Sequence, residues 1–253
     1  MNAFIVFFKK EIKEHFRSYR LLILGIVFVL FGIMSPATAK FTPELLQMLG
    51  NGIEIKLPPV TVADSYMQFF KNINSMGIIV LLLMFAGMVA DEKTKGTAAL
   101  ILTKNISRTA FLLAKYAAAA LLWTVVYVAG ALTCQGYTLW LFPDVSASNL
   151  VISFGAYWVF GLALLAFTEF SSAVMPGHGL ATLGAFIGWG VLVLSMLPAK
   201  IAMYSPAVLG SNNLQLITGA AQADSLLWPL VIAVAMIGLL LGGAVYLMNR
   251  QEL

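Results

Sequence analysis

The sequence predicts an all-α polytopic membrane protein. It reads as six membrane-crossing helices, an amphipathic helix ahead of them, and a short helix between the second and third. Three observations predict this. Of 253 residues, 60% are hydrophobic and only 10% are charged, whereas soluble domains carry about 25% charged and about 45–50% apolar residues. The mean hydropathy is +0.91. The apolar residues come in continuous runs close to the roughly 20 that a helix needs to cross the hydrocarbon core, not in the alternating segments of about ten residues that mark a barrel.

The leader, residues 1–20, comes first. Ile5, Phe8, Ile12, Phe16 and Tyr19 recur at helical spacing and share one face. Lys9, Lys10, Lys13, Glu14, Arg17 and Arg20 take the adjacent face, so the segment suits the headgroup layer. The run at 21–39 reads as a retained anchor and not a signal peptide, because a charged stretch of about twenty residues precedes it and it exceeds a signal core. Further spans are predicted at 73–90, 116–142, 150–170, 180–197 and 226–248. Pro176, Gly177 and Gly179 mark the turn between the fourth and fifth. Residues 40–72 read as a loop with short surface helices at 43–50 and 64–72 around Pro58-Pro59, and 198–225 as a second loop on the same side. Trp140, Trp158 and Trp228 suit interface anchoring, and Trp123 and Trp189 suit deeper helix contacts. No linker, charge block or repeat divides residues 1–253, which read as one transmembrane domain.

The net charge of +4 lies beside the apolar runs, so a membrane and not a nucleic acid is the expected partner. Lys9, Lys10, Lys13, Arg17, Arg20, Lys93, Lys95, Lys104, Arg108, Lys115 and Arg250, eleven cations, fall on one predicted side; Lys40, Lys56, Lys71 and Lys200, four, fall on the other. The positive-inside rule then puts both termini in the cytoplasm and the chain in a cell (inner) membrane. Cys134 sits alone within an apolar run and forms no internal disulfide, and two histidines leave little material for a transition-metal site.

The loop at 91–115 carries the most information. Acidic Asp91 and Glu92 open it and basic residues follow, an order that complements a helix dipole. Thr97, after Gly96, reads as the N-cap of a helix through Ala98 to Leu102, and Ser107 as the cap of the helix that carries Lys115 into the third span. Leu100, Ile101 and Leu102 would then offer a surface for another protein to grip, the alternative being an ordinary connection.

These residues resemble a known family. The leader Phe8-Lys9-Lys10-Glu11-Ile12-Lys13-Glu14-His15-Phe16-Arg17-Ser18 is similar to that of ABC transporter permease subunits of the type-two exporter family. So is the loop, with Glu92, Gly96-Thr97, Leu100 to Leu102, Ser107-Arg108 and Lys115; Pro198 and Tyr204-Ser205-Pro206 are similar more loosely. Family members often carry a proline before the Ser-Arg pair, where this chain has Asn105-Ile106. The resemblance implies a dimer of six-span subunits, homo- or heteromeric, each seated on a separate ATP-binding subunit that holds ATP and Mg, with no cofactor on this chain. It implies that Glu92, Gly96, Thr97, Leu100, Ile101, Leu102, Ser107 and Arg108 form a cytoplasmic coupling helix with its flanks. Lys10, Glu11, Glu14, Phe16 and Arg17 would lie on a connector helix. Glu92 or Asp91 is expected to pair with a leader cation such as Arg17.

Other chemistry finds little support. The chain has no Gly-x-x-x-x-Gly-Lys-Ser/Thr phosphate loop, no Gly-x-Ser-x-Gly and no His-Glu-x-x-His. Glu169 is the one carboxylate inside a predicted span. It is expected to be hydrated near the cytoplasmic end, or to contact a proton or substrate, with His178 as a possible partner. The scarcity of other charges in the spans favours a hydrophobic or amphipathic cargo. The rival readings are a membrane scaffold without a translocation path and an intramembrane enzyme using Glu169 and His178.

Overall fold

The computed structural model describes residues 3–49, 59–103, 106–142 and 147–251. Among them every regular element is helical. Gly50, Lys56, Pro58, Lys104 and Asn105 lie outside the described residues.

Helix α1 (Ala3–Arg17) ends at an elbow where Tyr19 adopts φ 57°, a left-handed conformation that costs a non-glycine residue about 1–3 kcal/mol. Helix α2 (Arg20–Leu49) runs well beyond the predicted end at 39, through Pro36 and Pro43. A proline removes one donor from the helical ladder, so Pro36 and Pro43 take away the usual N–H partners of the Gly32 and Ala39 carbonyls, a loss that membrane helices tolerate. The surface helix expected at 43–50 is therefore the end of α2 as far as Leu49.

The second expected surface helix is also part of a longer rod. Helix α3 (Val62–Asn72) opens where Thr61 N–H donates to the Asp64 carboxylate at 2.7 Å. It continues through a π-helical turn (Ile73–Gly77) into α4 (Ile78–Phe85). Short helices α5 (Ala90–Thr94) and α6 (Thr97–Leu102) follow. Helix α7 (Arg108–Leu141) begins as predicted, with the Ser107 hydroxyl accepting from Ala110 N at 3.1 Å. Then come α8 (Leu150–Val174), α9 (His178–Leu194), the short α10 (Ala199–Ala202), α11 (Val208–Ser211) and α12 (Asn213–Ile217), a 3-10 turn, and α13 (Leu227–Arg250).

Five segments are long and apolar enough to cross a bilayer: Arg20–Leu45, Val62–Thr94, Arg108–Leu141, Leu150–Val174 and Ala223–Arg250. Helix α9 is apolar but has 17 residues, about 26 Å at 1.5 Å per residue, against a core of about 30 Å. With it the bundle has the six apolar segments expected. Helix α8 is the centre of the molecule: α4, α7, α9 and α13 surround it, and α11 and α12 fold back onto it. The stretch at 198–225 is thus no free loop, since Leu209 and Leu216 are buried in the core. Helices α1 and α2 both lie along α7, which brings the leader against the start of the third span.

Candidate functional site

The ends of α1, α5 and α7 meet around Lys115. A helix turns about 100° per residue, so Phe7, Glu11 and His15 form a stripe at four-residue spacing, and all three are buried. That stripe, and not the face of Ile5, Phe16 and Tyr19, packs against the bundle; those three stay exposed at 45%, 61% and 66%, as membrane-facing residues should. The Phe7 and Phe111 rings meet at 5.2 Å. Lys115 Nζ lies 5.7 Å and 5.2 Å from the same two rings.

Lys115 is 2% exposed, and a charge so buried must be paired. Its ammonium donates to Glu11 Oε2 and to Glu92 Oε1, both at 3.0 Å. Lys10 completes the cluster, with Nζ at 2.7 Å from Glu11 Oε1, 2.7 Å from Glu14 Oε2 and 3.0 Å from Glu92 Oε1. Glu11 gives one oxygen to each lysine, and Glu92 Oε1 bridges both. The carboxylates of Glu11, Glu14 and Glu92 lie within 4.8 Å of one another, and the Lys10 ammonium within 3.0 Å of each supplies their counter-charge. Burial alone would lower the Lys10 pKa; the hydrogen bonds to Glu11 and Glu14 outweigh it and hold the pKa above its ordinary value. Burial likewise pushes Glu14 up, but Lys10 brings it below the usual carboxylate range.

Helix α5 distributes these contacts. Its N-terminal N–H groups at Val89 and Ala90 both donate to the Ser172 hydroxyl of α8, at 2.9 and 3.0 Å, a cap supplied from another helix. Three successive side chains then leave in different directions. Asp91 accepts from or pairs with His178 Nδ1 of α9 at 3.1 Å. Glu92 turns to α1 and α7. Lys93 donates to the Ala173 carbonyl at 2.6 Å and to Gln251 Oε1 at 3.1 Å. Gly87 leaves room for the Asp91–His178 contact: a Cβ there would stand 2.3 Å from His178 Nδ1 and 2.4 Å from Asp91 Oδ2.

The next turn corrects the sequence reading of the cap. Gly96, in the left-handed region at φ 69°, precedes α6, and Thr97 is its first helical residue. The Thr97 hydroxyl donates backwards to the Glu92 carbonyl at 3.2 Å. The three expected apolar residues do not share a surface. Leu100 is 66% exposed, while Ile101 and Leu102 are half-buried against the core, because consecutive helical residues point about 100° apart. Arg108 donates through one guanidinium nitrogen to the carbonyls of Met248 and Gln251, the latter at 3.0 Å.

One expected pairing, of Glu92 with a leader cation, forms through a residue other than the one named, and a second is not formed. Arg17 is exposed and, among the described residues, makes no ion pair; Lys10 holds Glu92 instead. Arg17 lies on the same face as Lys10 but two turns further on, about 10 Å along the axis. Glu169 does not meet His178, whose partner is Asp91. It is also enclosed by protein: it is 0% exposed, and neither carboxylate oxygen has a hydrogen-bond partner among the described residues. Its position on the central helix, enclosed on all sides, is the reason. The Glu169–His178 dyad is therefore not assembled. Lys115 was legible only as a residue leading the third span; the signal for its role is a lysine eight residues past the Ser107 cap, inside an otherwise apolar run. Ser172 carried no signal, because a capping hydroxyl on another helix leaves no local pattern.

Five membrane-length segments and a buried charged junction at the base of the third describe a polytopic membrane protein, and similarity decides the family. Residues 5–248 match the family described as ABC-2 family transporter protein. The chain belongs to that family. It is a multi-pass ABC-2 membrane protein, which implies the permease subunit of an ABC transporter and association with an ATP-binding subunit. Over 263 aligned positions this ABC-2 chain is 25% identical to a Bacillus subtilis (strain 168) protein described as an uncharacterized transmembrane protein, YxlG, covering 100% of this chain and 99% of the relative. The family expected from the leader and the 91–115 loop is the one the chain matches.

Proposed function

We propose that the chain is the membrane-spanning subunit of an ATP-driven exporter, working as a dimer in the cytoplasmic membrane with both termini inside. It performs no chemistry itself. A separate subunit binds ATP and Mg, and this chain converts that subunit's movement into repacking of the spans. The observation that carries the proposal is the junction of α5: Asp91, Glu92 and Lys93 reach α9, α1 with α7, and α8 with the chain end. Force applied to α6 is passed to α5 across the Gly96 turn and reaches four helices at once. Packed and ion-paired interfaces have few discrete arrangements, so a small displacement is transmitted as a shift between states.

In this reading Leu100 is the anchor in the ATP-binding subunit's groove, with Lys95, Thr97 and Thr103 exposed around it. Glu92, Lys10, Glu11, Glu14 and Lys115 tie the connector α1 to the coupling segment. Ser107 caps the start of α7, and Arg108 holds it against Met248 and Gln251.

The test is purification of the tagged chain from native membranes in mild detergent. An ATP-binding subunit should accompany it in equal amount, and Leu100→Asp should abolish that co-purification while the chain still inserts, because a desolvated charge in an apolar groove costs several kcal/mol. A chain that arrives alone from several detergents would favour a scaffold. Undiminished co-purification of Leu100→Asp would remove α6 as the contact.

A further inference from the structure

Between the last two turns of α1, the start of α2 and one face of α7 lies a groove of about 100 Å³. Phe16, Leu21, Leu121, Leu122 and Val125 form most of its wall, and His15 is the one polar side chain lining it. Phe16, Leu121 and Val125 are 61%, 44% and 50% exposed, so the groove opens toward lipid. Cations lie on two of the helices that border it, α1 and the start of α2. Arg20 stands 3.4 Å from His15 Nδ1. Lys9, Lys13 and Phe16 are at i, i+4 and i+7, one face of α1. Lys9, Lys13 and Arg20 have no carboxylate partner among the described residues, since Glu11 and Glu14 are taken by Lys10 and Lys115.

An apolar slot under uncompensated cations, at the junction of an interfacial helix with the first and third spans, has the chemistry of a phospholipid site. We propose that this groove holds one acyl chain of an anionic phospholipid of the adjacent leaflet, its phosphate resting on Arg20 and Lys13. A zwitterionic lipid offers the same chain but no net charge, so the cations select the anionic class. The lipid would brace α1 against α7 beside the Lys115 junction.

Native mass spectrometry of the full-length chain, with whatever subunits accompany it, tests this by titrating phosphatidylglycerol and phosphatidylcholine in detergent. The first phosphatidylglycerol should bind more tightly than phosphatidylcholine. Lys13→Gln with Arg20→Gln should weaken that preference by about thirtyfold, the effect expected of two cations at a lipid surface. Lys95→Gln with Lys200→Gln, exposed cations elsewhere, should leave it unchanged. Val125→Trp, which fills the groove from its open side, should weaken both lipids alike. Absence of any preference, equal losses in the two double variants, or unaffected binding in Val125→Trp would each overturn the site.

Discussion

Lys115 shows how a single charge is made tolerable at the membrane's edge. Its ammonium gains two carboxylates at 3.0 Å and two aromatic faces, while Lys10 relieves the excess negative charge that three glutamates would otherwise leave. Taking away one member of a buried pair is worse than never having had it, because the remaining charge stays desolvated. Lys115→Met should therefore destabilise the chain by about 3–5 kcal/mol, read as a lowered thermal midpoint in detergent. Lys115→Met combined with Glu11→Gln should recover part of that loss, since Glu11 is 2% exposed and would no longer be a buried charge held by Lys10 alone. A double variant no better than the single one would mean that Lys115 acts by packing alone. His15, one turn along the same stripe, solves the problem differently: burial and the nearby Arg20 and Lys115 bring its pKa down to about 4, so it packs as a neutral ring.

Helices approach one another here through glycine. Gly32 of α2 and Gly130 of α7 face each other so closely that a Cβ on Gly32 would stand 2.6 Å from the Gly130 carbonyl oxygen, and one on Gly130 2.8 Å from that of Phe28. Small residues permit such close backbone contact, the main source of helix association where lipid is as apolar as the side chains. Gly161 of α8 lets Trp123 of α7 lie flat against it, and a Cβ there would be 2.2 Å from the indole. The contact is locked by exchange: Trp123 Nε1 donates to the Trp158 carbonyl at 3.1 Å, and Trp158 Nε1 to the Thr124 hydroxyl at 3.0 Å. Gly161→Val should cost about 1–3 kcal/mol by overpacking, lowering the thermal midpoint. Trp123→Phe in the same background should restore some of it by vacating the space. Failure of that rescue would place the cost in the α8 backbone and not in the α7–α8 contact.

Across the whole molecule, the ion pairs among the described residues gather at one end of the bundle, and the remainder is held by apolar packing with hydrogen bonds between helices, such as Ser65 to Thr138 and Tyr66 to Gln135. Asp91, Lys93, Ser172 and Arg108 join the ends of α5, α7, α8, α9 and α13. Arg108 serves the Met248 carbonyl in the last turn of α13 and the Gln251 carbonyl just past it, at a helix end where carbonyls lose their usual intrahelical donors. Arg108→Met should leave insertion intact and speed hydrogen exchange at residues 245–251 by about tenfold or more, the loss expected from about 1.5–3 kcal/mol of charged hydrogen bonding. Unchanged exchange there would show that α8 alone holds α13.

Much of the architecture was determined by sequence alone. Continuous apolar runs, the Ser107 cap and the Gly96 break are local signals, read within a few residues of where they act, and they placed the spans and the short helix that follows Gly96, though not α5. The junction was legible in its membership, since Lys10, Glu11, Glu14 and Glu92 stood out beforehand, but not in its pairing. Glu92 meets a lysine 82 positions away, and Glu11 one 104 positions away. Only the tertiary structure decided that Lys10 and not Arg17 holds Glu92, that His178 serves Asp91, that Glu169 is enclosed without a partner, and that Leu100 points outward while Leu102 points in. Each of these turns on how far a helix is rotated about its own axis against its neighbours. Periodicity defines a helix's faces, but the packing of distant helices chooses which face meets which.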